Sequence, residues 1–360
     1  MAALPIHAPC ANCGLAASEQ RELIGTTVCH KGRFHGAPLT IVACPRCGLV
    51  YQNPRPTEEQ LNRFYTQDYY KEQKGEKKRL ALDEKFVLKE CQHRWLTQHL
   101  TEIRDQDIVD VGSGYGQWLQ LFSDSNRLLG IESSERAIQY AREWYGIEMR
   151  SLDFLGSDLE PQSFDLVTGL AIIEHFLDPL KALVAANRLL RPGGHIYLRT
   201  PDYFGLVLRS GIHKYFTLTH TYYFSLATLS SLLGKAGFEV VASERIPPLL
   251  ETSSLLHRRN YFHGQLQVLA RKRQDTSLDA ACQRPYSGDD VEEVFAALHQ
   301  AQTRDRVYTL LSRGRKGWVG APLVRASLSL ASRIAPKPPS KYEVFRAKRE
   351  AAASQPNLDL

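Results

Sequence analysis

Two Cys-x-x-Cys-Gly hooks, running from Cys10 to Gly14 and from Cys44 to Gly48, hold four of the chain's seven cysteines. Two thiolates spaced by two residues can reach one ion, and two such pairs complete a tetrahedral Zn²⁺ shell. A tight glycine turn after Cys13 and Cys47 lets backbone N–H groups point at sulfur. Four protein ligands leave no open position, so Cys10, Cys13, Cys44 and Cys47 predict a structural zinc rather than a catalytic one. Buried, reduced thiols are the plainer alternative. A redox pair fits poorly, because neither hook opens a helix after a strand. Cys29, His30 and His35 lie between the hooks and read as bystanders. The chemistry must lie elsewhere.

A second group of residues begins in "DQDIVDVGSGYGQWLQLF", where a short apolar run ends at Asp110. Gly112, Ser113, Gly114 and Gly116 follow, and then an amphipathic stretch that predicts a helix. Strand, glycine turn and helix in that order let backbone approach a ligand closely. A dinucleotide fingerprint would need a third glycine where Gln117 stands. Two later apolar runs end in polar residues of their own. "RLLGIE" ends in Glu132, suited to accept both hydroxyls of a ribose. "EMRSLDF" ends in Asp153 and Phe154, an acceptor for an exocyclic amine beside an aromatic wall for a purine.

These residues need a scaffold. "SFDLVTGL" reads as a fourth strand, "AIIEHFLDPLKALVAANRLLRPGG" as a helix closed by its glycines, and "HIYLRTP" as a fifth strand. "FEVVASERI" and "LQVLARK" read as two closing strands, the last short and returning to an edge. Strands alternating with helices imply a parallel sheet with its ligand crevice at the strands' C-terminal ends. The fold class expected is therefore α/β, with a strand-rich ribbon around the hooks.

Composition agrees with a folded chain. Hydrophobic residues make up 43% and charged residues 23% of 360 positions, which excludes both a disordered and a membrane-embedded chain. No apolar run approaches the roughly 18 residues of a spanning helix. The first residues show no basic or apolar leader pattern, which predicts the cytoplasm. The net charge of +6 is uneven: residues 304–350 carry twelve Lys/Arg against three Asp/Glu.

With Asp110–Gly116, Glu132, Asp153–Phe154 and "LLRPGGHIYLRTP" in one order and spacing, residues 105–272 resemble the class I S-adenosylmethionine-dependent methyltransferases. The resemblance implies a Rossmann-like seven-stranded sheet and S-adenosylmethionine (SAM) as cofactor. It implies that the glycine loop holds the methionine part, Glu132 the ribose and Asp153 the adenine. The organisation expected is a zinc ribbon over 1–55, a helical linker or lid over 56–104 that includes Tyr69 and Tyr70, the methyltransferase domain over 105–272, and a helical basic extension over 273–360 with a disordered end.

The sulfonium of SAM is already activated, so the enzyme mainly aligns the acceptor and removes a proton. Base N-methylation usually carries an Asn/Asp-Pro-Pro-aromatic segment after the fourth strand, where this chain reads "GLAIIEHF". Pyrimidine C5 chemistry needs a cysteine near the sheet, and there is none between Cys91 and Cys282. "IVACPRCGLVYQNPRPTEEQLNRFYTQDYY" and "THTYYFSLATLSSLLGKAGF" resemble segments of bacterial sugar and surface-polysaccharide methyltransferases. His220, Tyr223, Phe224 and Ser225 fall in matching places, while Leu218 and Thr219 replace the His and Glu of the C-methylating relatives. The resemblance therefore implies a hydroxyl or amine on a sugar-like or other small acceptor, with His220 as base. His220 also fits plain loop packing. His175, beside Glu174, is a second catalytic candidate, though the resemblance implies that this pair shapes the cofactor pocket. His195 is expected at the start of a strand and His213 beyond the fifth.

Ser225 is expected to cap the helix that follows it, and Gly237 to end it. The basic tail fits either an anionic lipid surface, making the protein peripheral to the inner membrane, or a solvated extension. No DNA is expected. Two other functions remain open: an RNA methyltransferase gripping its substrate with the ribbon, and an inactive methyltransferase-like binding module.

Overall fold

The computed structural model describes residues 6–28, 38–61, 89–100, 103–207, 216–246, 264–274 and 287–314. Cys29, His30, His35, Tyr69, Tyr70, His213, Cys282 and the basic stretch beyond Gly314 lie outside the described residues.

Strands β1 (Arg21–Val28) and β2 (Pro38–Ala43) lie between the hooks and β3 (Val50–Gln52) follows the second, each strand antiparallel to the next. Helix α1 covers residues 89–99. Strands β4 (Asp107–Val111), β5 (Arg127–Ile131) and β6 (Glu148–Arg150) then alternate with a 3₁₀ turn at Leu119–Phe122 and helix α2 (Glu135–Tyr145). β7 (Phe164–Leu170), α3 (Pro179–Leu189), β8 (Leu190–Pro201) and the short α4 (Tyr203–Val207) follow. β9 (Tyr222–Tyr223), α5 (Leu226–Lys235), β10 (Phe238–Ile246), β11 (Gln265–Lys272) and α6 (Val291–Gly314) complete the order.

The main sheet has seven strands in the order β10-β11-β8-β7-β4-β5-β6, the Rossmann-like architecture expected. β8, β7, β4, β5 and β6 run parallel, and β11 is antiparallel to both of its neighbours. β4 lies inside the sheet between β7 and β5, and its residues from Ile108 to Val111 are all buried. Helix starts follow local chemistry. Ser134 accepts from the Ala137 N–H to cap α2, and Asp178 accepts from Lys181 ahead of Pro179 in α3. Ser225 caps α5 with a reciprocal bond to Thr228, and Gly237 follows its end at φ +82°.

Several elements differ from the expectation. The glycine loop leads into a 3₁₀ turn of four residues, not an amphipathic helix. Only ten residues separate Gly116 from Arg127, and Trp118, Leu119 and Phe122 all turn into the core. β6 stops at Arg150, so Asp153 and Phe154 stand in the loop beyond it. Its only neighbour, β5, ends at Ile131, opposite Arg150. α3 passes straight into β8 at Leu190 without a glycine stop, and Gly193 and Gly194 lie inside that strand. His195 is therefore interior to β8 rather than at its start. β11 is not an edge strand: Gln265 to Ala270 are all buried, and it inserts between β8 and β10. The edge falls to β10, which carries exposed Glu239, Ser243, Glu244 and Arg245.

The ribbon shares a sheet with the rest of the molecule. β9 pairs with β3, Val50 opposite Tyr223 and Tyr51 opposite Tyr222, giving a four-stranded sheet β1-β2-β3-β9. Leu39, Ile41 and Val50 from the hooks' strands bury against Tyr203, Phe216, Leu218 and Tyr223, and against Val294, Leu298 and Ala301 of α6. The apolar spacing of those three α6 residues, i, i+4 and i+7, puts them on one helical face.

Candidate active site

Gly112, Gly114 and Gly116 turn the chain at the C-terminal end of β4 with φ of +71°, +57° and +74°. The three glycines do different work. A Cβ on Gly112 would stand 2.8 Å from Ile172 Cδ1, and one on Gly116 would stand 2.9 Å from Ala141 Cβ, so these two permit packing. A Cβ on Gly114 would meet nothing within 4 Å, which leaves space above the loop for a ligand. The loop is pinned to β5: the N–H groups of Gly112 and Ser113 both donate to the Ile131 carbonyl, at 2.9 and 3.0 Å. Glu132, the next residue, is buried and accepts from the Gly114 N–H at 2.9 Å and from the Ser134 N–H at 3.0 Å. The glycine turn after β4 and the acid after β5, both predicted to hold the cofactor, thus meet through one hydrogen bond.

Asp110 and Ser113 sit beneath it, both buried. The Thr168 hydroxyl donates to Asp110 Oδ1 at 2.6 Å and accepts from Trp118 Nε1 at 3.1 Å, a chain that orients the carboxylate. Burial pushes Asp110 up to about 6, against the pull of the Thr168 hydroxyl. Asp153 is exposed, and its carboxylate accepts from the Leu155 N–H at 3.1 Å. Phe154 is buried, its ring 6.1 Å from that of Phe176 and tilted by 51°.

Across the crevice, the segments after β7 and before β9 bring Glu174, His175 and His220 together. The two imidazoles cross edge to face with centroids 4.8 Å apart. His175 Nδ1 lies 2.7 Å from the Thr219 carbonyl, which can only accept, so Nδ1 carries a proton. The other ring nitrogen, Nε2, is 3.9 Å from Glu174 Oε1. Glu174 is 1% exposed, and the Thr200 hydroxyl donates to its Oε2 at 3.0 Å. Burial pushes the Glu174 carboxyl up. Thr221 locks the two segments: its N–H and hydroxyl both donate to the Glu174 carbonyl, at 2.9 and 3.0 Å. Ala171, three residues before Glu174, takes φ +57°, a left-handed conformation costing roughly 1–2 kcal/mol in a residue with a Cβ.

The four hook sulfurs also converge. All lie within 4.8 Å of one another, with Cys10–Cys47 at 3.6 Å and Cys13–Cys44 at 3.4 Å. A tetrahedral ion with Zn–S bonds of about 2.3 Å would set sulfurs about 3.8 Å apart, so the cage fits zinc after a small outward shift. The two knuckles are built alike. Gly14 and Gly48 donate to the carbonyls of Cys10 and Cys44, each at 2.8 Å, with φ of +72° and +69°. Hydrogen bonds from Cys44 and Cys47 push the Cys10 thiol up, and the bond to Cys10 holds Cys44 down. A cation among the sulfurs resolves that competition by taking all four as thiolates.

The cage and the crevice are joined. From β3, the buried Gln52 amide donates to the carbonyls of Thr217 and His220, at 2.5 and 2.6 Å. Arg55 donates to the Leu177 carbonyl and to the Tyr222 hydroxyl, the latter at 3.2 Å. On the other side, Asp289 donates its N–H to the Cys47 carbonyl at 3.1 Å and accepts from the Ser225 hydroxyl. Sequence reading found the cysteines and the histidines but not Gln52, Arg55 or Asp289. No local pattern distinguishes a buried glutamine that ties two loops from one on a surface.

A groove of about 340 Å³ lies elsewhere, lined by Asp107, Arg127, Glu148 and Phe164, the first residues of four parallel strands. That is the opposite end of the sheet from the glycine loop, and cofactor crevices in such sheets open at the C-terminal ends.

Residues 84–243 match a family model described as a methyltransferase domain. A probable S-adenosylmethionine-dependent methyltransferase of Mycolicibacterium smegmatis is 29% identical over 137 residues, covering 38% of this chain and 52% of its own. A tRNA U34 carboxymethyltransferase of Alteromonas mediterranea is 30% identical over 158 residues, 39% of this chain and 47% of its own. A ubiquinone biosynthesis O-methyltransferase of Alkalilimnicola ehrlichii is 33% identical over 115 residues, 29% of this chain and 46% of its own. The chain spans about half the length of these curated relatives. Among the described residues no helix is long and apolar enough to cross a membrane.

Proposed function

We propose that this chain, whose residues 84–243 are a class I S-adenosylmethionine-dependent methyltransferase domain, methylates a hydroxyl or amine of a sugar-like or other small-molecule acceptor. The observation that carries the cofactor is the Gly114 N–H held by Glu132 at the C-terminal edge of the sheet, with open space above the glycine. In this reading Gly112 to Gly116 receive the methionine end, Glu132 the ribose, and Asp153 with Phe154 the adenine. The acceptor enters beside Glu174, His175 and His220. A neutral hydroxyl has a pKa far above 7, so attack on the methyl is helped by a group that takes or displaces its proton. His220 is that group, with His175 beside it. Zinc in the four-cysteine cage is structural and supplies no step.

The sugar-like acceptor rests on the sequence resemblance around His220 and Ser225. The relatives' own acceptors differ from one another, a tRNA for one and a ubiquinone precursor pathway for another, so similarity alone does not choose. A screen of nucleotide-sugars, glycolipids, quinone precursors and RNA with methyl-labelled SAM decides. Label on a small-molecule hydroxyl supports the proposal; label only on RNA contradicts it.

A further inference from the structure

We propose that Glu174, His175 and His220 form a second metal site, one that holds a divalent cation with open positions for the acceptor's oxygen. This rests on the acceptor side assigned above and deepens it. Each of the three residues offers one ligand atom, and those atoms lie within 4.8 Å of one another. Two features point to a ligand rather than to packing. Glu174 Oε1 is fully buried and has no hydrogen-bond partner among the described residues. It faces His175 Nε2 at 3.9 Å, beyond hydrogen-bond range. The Nδ1–H donates to the Thr219 carbonyl, so in the neutral imidazole Nε2 carries the lone pair that would bind a cation. A cation held there would give the buried Glu174 oxygen its partner.

The surroundings are those of a metal site. A ligating histidine typically donates its other N–H to a carbonyl, as His175 does, and a ligating carboxylate is itself hydrogen-bonded, as Thr200 binds Glu174 Oε2. The loops carrying the ligands are fixed to each other by Thr221 and to β3 by Gln52. Two imidazoles and one carboxylate suit Mn²⁺, Fe²⁺, Co²⁺, Ni²⁺ or Zn²⁺ better than Mg²⁺ or Ca²⁺. Three protein ligands leave room for substrate. The acceptor hydroxyl binds the ion and loses its proton to solvent. The alkoxide oxygen then takes the methyl as the S–CH₃ bond breaks, leaving the methyl ether and neutral S-adenosylhomocysteine. His220 in this arrangement acts through the ion rather than by taking the proton itself.

The test uses the full chain with its cysteine cage already loaded with zinc. Mn²⁺ is titrated and followed by electron paramagnetic resonance, and Co²⁺ by its visible spectrum, in the wild type and in Glu174→Gln and His220→Ala. The expected result is one saturable Mn²⁺ per chain and a Co²⁺ spectrum without thiolate charge-transfer bands, both weakened about tenfold or more in each variant. Unchanged S-adenosylhomocysteine affinity in the same variants shows that they are folded. Wild-type protein that binds S-adenosylhomocysteine but shows no saturable Mn²⁺ or Co²⁺ overturns the metal site and leaves a proton-sharing Glu–His pair. Failure to bind S-adenosylhomocysteine at all counts instead against the methyltransferase reading.

Discussion

The two clusters of side chains able to hold a metal are built in opposite ways. The cysteine cage is made twice over from one local pattern, each knuckle closed by its own glycine within five residues. The Glu174–His175–His220 cluster joins a neighbouring pair to a residue forty-five positions further on. The pair and His220 come from two segments, held in register by Thr221, Gln52 and the β3–β9 pairing. Closure also differs: four sulfurs surround one point, whereas three mixed ligands leave one side free. A structural centre can be written as a short motif because its geometry is local. A reactive centre needs an opening, and the hydrogen bonds from β3 are what would hold such an opening rigid here.

If the cage is the foundation of the crevice, breaking it should have the widest consequence. Cys44→Ser is expected to lose zinc and destabilise the ribbon on the order of 5 kcal/mol. Because β3 holds the residues before β9, methyl transfer should fall with it. Elemental analysis, a thermal melt and a turnover assay read the three effects. Zinc loss with full activity would separate the two regions and refute their coupling.

The converse change should leave the cage intact. His220→Ala is expected to lower turnover by roughly 10²–10⁴-fold while zinc content and S-adenosylhomocysteine affinity stay unchanged. Near wild-type turnover would show that His220 only packs, and that alignment alone drives transfer.

Gln52 is the link between the regions. Gln52→Ala removes two buried hydrogen bonds and leaves the Thr217 and His220 carbonyls without them. It should cost about 1–3 kcal/mol in stability with zinc retained. A rise in the acceptor's KM and a fall in kcat, measured together, would place the loss in the His220 segment rather than in the fold at large.

The smallest effect concerns the cofactor side. Asp110 is raised from 3.8 to about 6 by burial, so the folded protein holds its proton more tightly than the unfolded chain. The stability this contributes is present below pH 3.8 and lost as pH rises through 6. Asp110→Asn does not titrate. Its stability relative to wild type should therefore grow by about 1 kcal/mol between pH 5 and pH 7.5, as chemical denaturation would show. A constant difference across that range would mean that the carboxylate is well solvated or paired.

The part of the molecule legible in sequence was the part governed by periodicity and short motifs. The alternation of strands and helices, the glycine loop, Glu132 and the four cysteines all depend on neighbours along the chain. The capping of α5 by Ser225 was readable for the same reason. What escaped depends on partners distant in sequence. β6 ends early because β5 ends, β11 moves inward because its six buried residues need a neighbour on each side, and the 3₁₀ turn replaces a helix because three large side chains face one core. The role of Gln52 appears only when β3 and the residues before β9 are side by side. Ala171 carries its strain without any sequence mark, since alanine is an ordinary helix or strand residue.

The most direct measurement is a calorimetric titration of the zinc-loaded chain with S-adenosylhomocysteine, alongside Gly114→Arg and Glu132→Ala. The open space at Gly114, where φ is +57°, would be filled by an arginine side chain in a strained backbone. One molecule should bind per wild-type chain, binding should vanish in Gly114→Arg, and Glu132→Ala should weaken it by about 1–3 kcal/mol. Wild-type protein that binds NADH and not S-adenosylhomocysteine, or affinity that survives Gly114→Arg, would contradict the assignment of this crevice to S-adenosylmethionine.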